Sequence, residues 1–246
     1  GCYRGPRKGS PGWGRFTRVS RRRFIQRTRN HCGQRRAAAK ALPYKLTGAQ
    51  RRVVGEVLED LARPNPMNRL VQGDVGSGKT AVLLELAIWA CESVQVLIVC
   101  PTGYLVHQYK SKLPDRPGIE NIRVDTIQGV LKYKRPGKDG KVRWAPPSAL
   151  RGIDLILCDE GSQYEDQEWM RFFAAVREQP HKPFTGIVAD FKQLQPVLSG
   201  GQCEHFCNQM DKVDLKTVYR TADQQHLVFL NRMREAQPDR SLRRID

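Results

Sequence analysis

Apolar residues recur at helical spacing over residues 48–62, where Val53, Val54, Val57, Leu58 and Leu61 fall on one face and Pro64 and Pro66 close the run. The spacing predicts a helix there. A short apolar stretch at 69–72 predicts a strand, followed by a glycine-rich turn and a second helical run from Lys79 to about Cys91. Further strand-like runs stand at 94–100, 122–124, 153–158 and 185–189, with helical patterns at 104–113 and 167–178 between them. Continuous apolar strands alternating with helices predict an α/β fold with a parallel sheet covered on both faces, since each crossover helix must pack back onto the sheet. The polar stretch 132–147 interrupts this pattern and is expected to be a hairpin or mobile loop.

Composition adds a division along the chain. With 246 residues, 39% of them hydrophobic, there is enough apolar side chain for a core, which excludes a wholly disordered protein. The formal charge is +17, but it is unevenly placed: residues 1–55 hold sixteen Lys or Arg and no acid, and the remainder holds 26 basic against 25 acidic. A near-neutral body with a cationic tail is implied, and a polyanion is the expected partner. Residues 1–41 mix Gly, Pro and Arg without periodicity and are expected to be a disordered tail. Three readings stay open for it: a phosphate-holding arm with Trp13, Phe16 and Phe24 to stack on bases, an organelle transit peptide, or a solvated tail with no role. No apolar stretch approaches the roughly 18 residues a bilayer demands, so no membrane span is expected.

Seven cysteines, at 2, 32, 91, 100, 158, 203 and 207, form no regular framework. They suggest reduced core thiols in an intracellular protein, with nucleus and organelle not distinguished. Cys203-Glu204-His205-Phe206-Cys207 carries metal-ligand residue types, but no second pair accompanies it, and free thiols near a loop are the expectation.

The sharpest motif is Gly73-Asp74-Val75-Gly76-Ser77-Gly78-Lys79-Thr80, a complete G-x-x-x-x-G-K-[ST] between a predicted strand and a predicted helix. Such a P-loop turns backbone N–H groups around phosphates, Lys79 reaches the outer ones and Thr80 ligates magnesium, so Mg2+ and ATP are the expected cofactors. Eighty residues on, the apolar run 153–158 delivers Asp159-Glu160 to the carboxyl end of a strand, where open α/β sheets bind ligands. Asp159 is expected to hold the metal through water and Glu160 to deprotonate the attacking water. A further strand ends in Asp190-Phe191-Lys192-Gln193-Leu194-Gln195-Pro196.

With that last motif the chain resembles the superfamily 1 DNA helicases, whose third motif reads Gly-Asp-x-x-Gln-Leu-x-Pro; Ala189 stands here for the glycine. Leu46-Thr47-Gly48-Ala49-Gln50 is similar to the motif whose glutamine reads adenine. Cys100-Pro101-Thr102-Gly103 and Thr126-Ile127-Gln128-Gly129 are similar to strand-binding motifs, which implies nucleic-acid contact by Pro101, Thr102, Gly103, Thr126 and Gly129. The stretch 215–221 and the helix ending in Arg234 look like the opening of a second motor domain, most similar to the PIF and RecD branch, which translocates 5′ to 3′. The resemblance implies that Gln193 senses the γ-phosphate and that Arg220 reaches it from the second domain. Residues 46–80 also look very like the first motor domain of RecG-type helicases of superfamily 2, whose third motif is Ser-Ala-Thr.

The expected organisation is therefore a tail over 1–41, a RecA-like motor domain over 42–212 and an incomplete second RecA-like domain over 213–246. Single-stranded DNA is the implied partner, and the motifs admit RNA. The expected function is an ATP-dependent DNA helicase, weak without the missing second domain. The alternative is a nucleic-acid-binding nucleotide switch acting through the tail without unwinding, and a small-molecule kinase is disfavoured because it needs neither Asp159-Glu160 nor Gln193.

Overall fold

The computed structural model describes residues 45–61, 68–73, 76–134, 143–144, 150–180, 183–193 and 201–215. Among these the central element is a six-stranded parallel sheet. In chain order it is built from β1 (Asn68–Gly73), β2 (Val96–Cys100), β3 (Ile122–Thr126), β6 (Leu155–Cys158), β7 (Phe184–Ala189) and β8 (Asp211–Leu215). The spatial order is β3-β2-β6-β7-β1-β8. A two-residue antiparallel hairpin, β4 (Tyr133–Lys134) with β5 (Arg143–Trp144), stands apart in the expected polar stretch.

The helices are α1 (Gly48–Leu61), α2 (Lys79–Ala90), α3 (Gly103–Lys112), α4 (Ile127–Leu131), α5 (Asp166–Arg177) and α6 (Gln202–Cys207). They divide between the two faces of the sheet, and alternate strand residues follow them. Val96, Ile98 and Cys100 join the core with α1, α2 and Tyr109 of α3, whereas Leu97 and Val99 join the core with α4, α5 and α6. Burial on both faces explains why β2, β6 and β7 read as continuous apolar runs. Ten of the twelve residues of α2 are buried, so this helix is apolar nearly all round and its first turn is fixed by the core.

Several boundaries differ from the sequence pattern. β2 begins at Val96 and β6 at Leu155, because Val94 and Ile153 are buried in the preceding turns, where Gln95 N–H donates to the Asp154 carboxylate at 3.1 Å. The cysteine cluster lies on a short helix, α6, that ends in a turn at Cys207: Cys203 and Cys207 are free thiols facing the core while His205 is exposed. β8 had no strand-like signature, yet it pairs with β1 from Arg69↔Asp211 to Gly73↔Leu215. The first sheet thus runs through Leu215, past the expected boundary at 212/213. The rest of the expected second domain and the expected tail lie outside the described residues.

Candidate nucleotide site

Parallel strands put all their carboxyl ends on one edge, and the motifs collect there. β7 lies between β1 and β6, so the P-loop, the Asp159-Glu160 pair and the turn at Asp190 follow three neighbouring strands.

β1 ends in Gly73, where no larger residue fits: an added Cβ would lie 2.6 Å from Ser77 Oγ and 2.9 Å from Leu215 Cβ. The chain then turns through Gly76 and Gly78 at φ 83° and 88°, the left-handed region that glycine enters without strain. These turns lead directly into the N-terminus of α2, whose free N–H groups and dipole favour an anion. Lys79 is 5% exposed and its Nζ donates to the Gly73 carbonyl at 2.8 Å, folding the ammonium over the loop it would serve. Asp74 and Val75 lie outside the described residues.

Gln50 reaches this loop from α1. Its Oε1 accepts from Thr47 N–H at 2.9 Å and its Nε2 donates to the Ser77 carbonyl at 3.1 Å. The buried amide supports the P-loop backbone directly.

β6 delivers Asp159, 1% exposed, with both carboxylate oxygens engaged. Oδ1 accepts from Glu160 N–H at 3.0 Å and Oδ2 from the Tyr109 hydroxyl at 2.6 Å. Burial pushes the Asp159 carboxyl above its ordinary range, and the Tyr109 hydrogen bond, the Glu160 N–H and the Lys79 charge pull it back. Glu160 adopts φ 47°, an uncommon conformation for a residue with a side chain. Its Oε2 is buried without a hydrogen-bond partner. Burial raises this carboxyl too, and Lys79 opposes the rise. An unpartnered carboxylate oxygen beside a lysine is suited to accepting a proton from water.

The strained turn is clamped from beneath. The Tyr164 hydroxyl lies 2.8 Å from the Val99 carbonyl and 2.9 Å from that of Asp159. The Tyr164 ring stacks on Trp169 at 5.3 Å, which in turn meets Phe173 edge-on at 4.5 Å.

After β7, Gln193 donates through Nε2 to Asp190 at 2.9 Å, and Asp190 is close enough to raise the Glu160 carboxyl. Gln193 therefore stands at the site, held to its own turn. Thr102 and Thr126 lie on the same sheet edge, after β2 and β3. Each caps a helix: Thr102 accepts from Leu105 N–H at 3.3 Å and Thr126 from Gly129 N–H at 3.0 Å. Thr102, Gly103 and Gly129 are exposed, Pro101 and Thr126 half-buried. Arg220 lies outside the described residues.

The expected metal ligands converge. Tyr109 donates to Asp159 Oδ2 at 2.6 Å and Thr80 stands near the same hydroxyl, so the Thr80 and Asp159 oxygens lie where they would hold a magnesium ion, in keeping with its preference for hard oxygen donors. Tyr109 and Tyr164 were not legible as site residues. The available signal is general: a buried tyrosine must bring its hydroxyl to a partner.

Comparison with known proteins gives three findings. The model of an AAA-domain family matches residues 45–246. The chain is 46% identical over 98 residues to the ATP-dependent DNA helicase RecG of Aquifex aeolicus, and 41% identical over 135 residues to RecG of Escherichia coli K12. These matches cover 39% and 54% of this chain but only 12% and 18% of the relatives, so the chain spans a small part of their length. Among solved structures, a Pif1 helicase from Bacteroides, in complex with ADP-AlF3 and single-stranded DNA, shares the fold with a TM-score of 0.54 and 17% identity. That likeness covers 78% of this chain and 46% of the other.

Proposed function

Because the chain belongs to the AAA-domain family over residues 45–246, we propose that it is the first motor domain of an ATP-dependent DNA helicase of superfamily 1, binding and hydrolysing ATP to move along single-stranded DNA. One observation carries this reading: β7 inserts between β1 and β6 and so places Asp190-Gln193 between the P-loop and Asp159-Glu160. A sensor on that intervening strand can register the outer phosphate and relay it along the edge toward Thr102 and Thr126.

The division of labour follows from the geometry. The Gly76–Gly78 backbone and Lys79 would hold the phosphates, and Thr80 with Asp159 would hold the magnesium ion. When bound, that ion would supply positive charge against the developing phosphate charge. Glu160 accepts the proton of the attacking water at its buried Oε2. Gln193 turns from Asp190 toward the γ-phosphate. Arg220 belongs in this reading to a second RecA-like wall, which closes the other side of the cleft and adds transition-state charge stabilisation.

Lys79→Ala deletes a phosphate counter-charge, whereas Glu160→Gln deletes only the base. A fluorescent ATP analogue should bind Glu160→Gln as it binds the wild type, with phosphate release lost, and should not bind Lys79→Ala. Equal loss of binding in both variants defeats the assignment. With a second RecA-like wall supplied, duplexes carrying a 5′ or a 3′ overhang test polarity: preference for the 5′ overhang fits the PIF-like third motif, and preference for the 3′ overhang favours a RecG-like motor.

A further inference from the structure

Tyr109 sits in the middle of α3, 1% exposed, packed in the core that α1 and α2 build on the sheet. A phenylalanine would fill the same apolar space. The hydroxyl is what the packing does not require, and a buried hydroxyl is costly unless it is bonded. It is spent on the acidic pair: it donates to Asp159 Oδ2 at 2.6 Å, with Thr80 close by. Asp159 follows β6 and Tyr109 comes from α3, so the bond ties two separate elements together beside the start of α2, where the expected metal ligands lie.

The geometry at Asp159 makes the bond directional. Glu160 N–H holds Oδ1 at 3.0 Å and Tyr109 holds Oδ2, one donor on each oxygen, which fixes the plane of the carboxylate. Each oxygen keeps a further lone pair for a metal-bound water. Outer partners of this kind set the orientation of metal ligands and the affinity of the site.

We propose that Tyr109 is a positioning residue of the magnesium site, orienting Asp159 through its hydroxyl. The inference rests on the nucleotide-binding reading above and extends it to a residue outside the motifs.

The test is Tyr109→Phe in the full 246-residue chain, with Mn2+ as the probe, read by its EPR signal in the presence of ADP. The variant should bind Mn2+ about tenfold more weakly. ADP affinity measured in EDTA should stay within about twofold, which also reports that the P-loop is folded. Unchanged or tighter Mn2+ binding overturns the proposal, as does an equal loss of metal-free ADP binding, since that would mark the hydroxyl as a general structural bond. A wild-type chain that binds no ADP would instead count against the nucleotide-binding reading itself.

Discussion

Gln50 and Ser77, 27 residues apart in sequence, are joined by a 3.1 Å hydrogen bond from the glutamine amide to the P-loop carbonyl. The same glutamine closes a reciprocal cap at the start of α1: Thr47 N–H donates to its Oε1, and its own N–H donates to Thr47 Oγ1 at 3.3 Å. A motif expected to read adenine thus first builds a helix start and then braces the phosphate loop. An added Cβ at Gly78 would collide with this amide, so the two elements are fitted to each other.

Gln50→Glu separates these roles. Glutamate still accepts from Thr47, which keeps the cap, but it cannot donate to Ser77 and sets a carboxylate against a carbonyl. Loss of a buried partner costs about 1–2 kcal/mol, so nucleotide affinity should fall roughly 5- to 30-fold. Calorimetric titration with ADP checks the affinity, and far-ultraviolet circular dichroism should be unchanged.

Gly161 follows the catalytic candidate Glu160 directly. A Cβ there would lie 2.8 Å from Ile187 Cγ2 on β7, and its carbonyl accepts from the Cys203 thiol at 3.0 Å. Gly161→Ala must push the acidic turn away from β7, at about 1–3 kcal/mol for overpacking. The melting temperature should drop by about 2–4 °C per kcal/mol. Since the shift falls next to Glu160, phosphate release should fall more than ATP binding does. A variant with both quantities at wild-type values would mean that the turn has room the distances deny it.

The pattern of the sequence carried the central strands and the P-loop because strands buried on both faces have no polar interruptions to confuse them. The elements it hid are those where burial is partial or short. β8 exposes Asp211, Lys212 and Asp214 and buries only Val213 and Leu215, so an edge strand reads as a polar stretch. α6 spans six residues, less than two turns, too few for a helical period to register. Within the site, Lys79, Asp159 and Glu160 were legible because phosphate and metal chemistry restrict both residue type and spacing. Tyr109 was not: its partner Asp159 lies 50 residues away, and only the packing of α3 against the sheet brings the two together.

The cationic tail makes a prediction that separates two of its readings. Residues 1–40 hold thirteen Lys and Arg. If they bind a strand, each phosphate they neutralise adds about −0.7 to the slope of log affinity against log salt. Deleting residues 1–40 should therefore weaken binding to an oligothymidylate and flatten that slope. Fluorescence anisotropy across a salt series is the measurement, and an unchanged slope assigns the tail to targeting or to no role.

Glu85 gives the last prediction, and its sign can be worked through. It lies on α2 at 4% exposure, with Oε2 buried and without a hydrogen-bond partner. Burial raises its carboxyl to about 7, only partly opposed by the charge of Arg116. The folded chain therefore keeps a proton that the unfolded chain, with an ordinary carboxyl near 4.5, has already released. Between those two values the unfolded state loses protons first, so stability falls as pH rises through the window and stays lower above it. Glu85→Gln places a neutral isostere at the same position and removes this dependence. At pH 4 the variant and the wild type should melt together. At pH 8 the variant should be more stable, by on the order of 2 kcal/mol once solvent screening is allowed for. Thermal melts at half-unit intervals of pH would follow the gap as it opens. A gap that is constant across the series, or one that closes toward pH 8, would mean that Glu85 is charged in the folded protein and that Arg116 outweighs its burial.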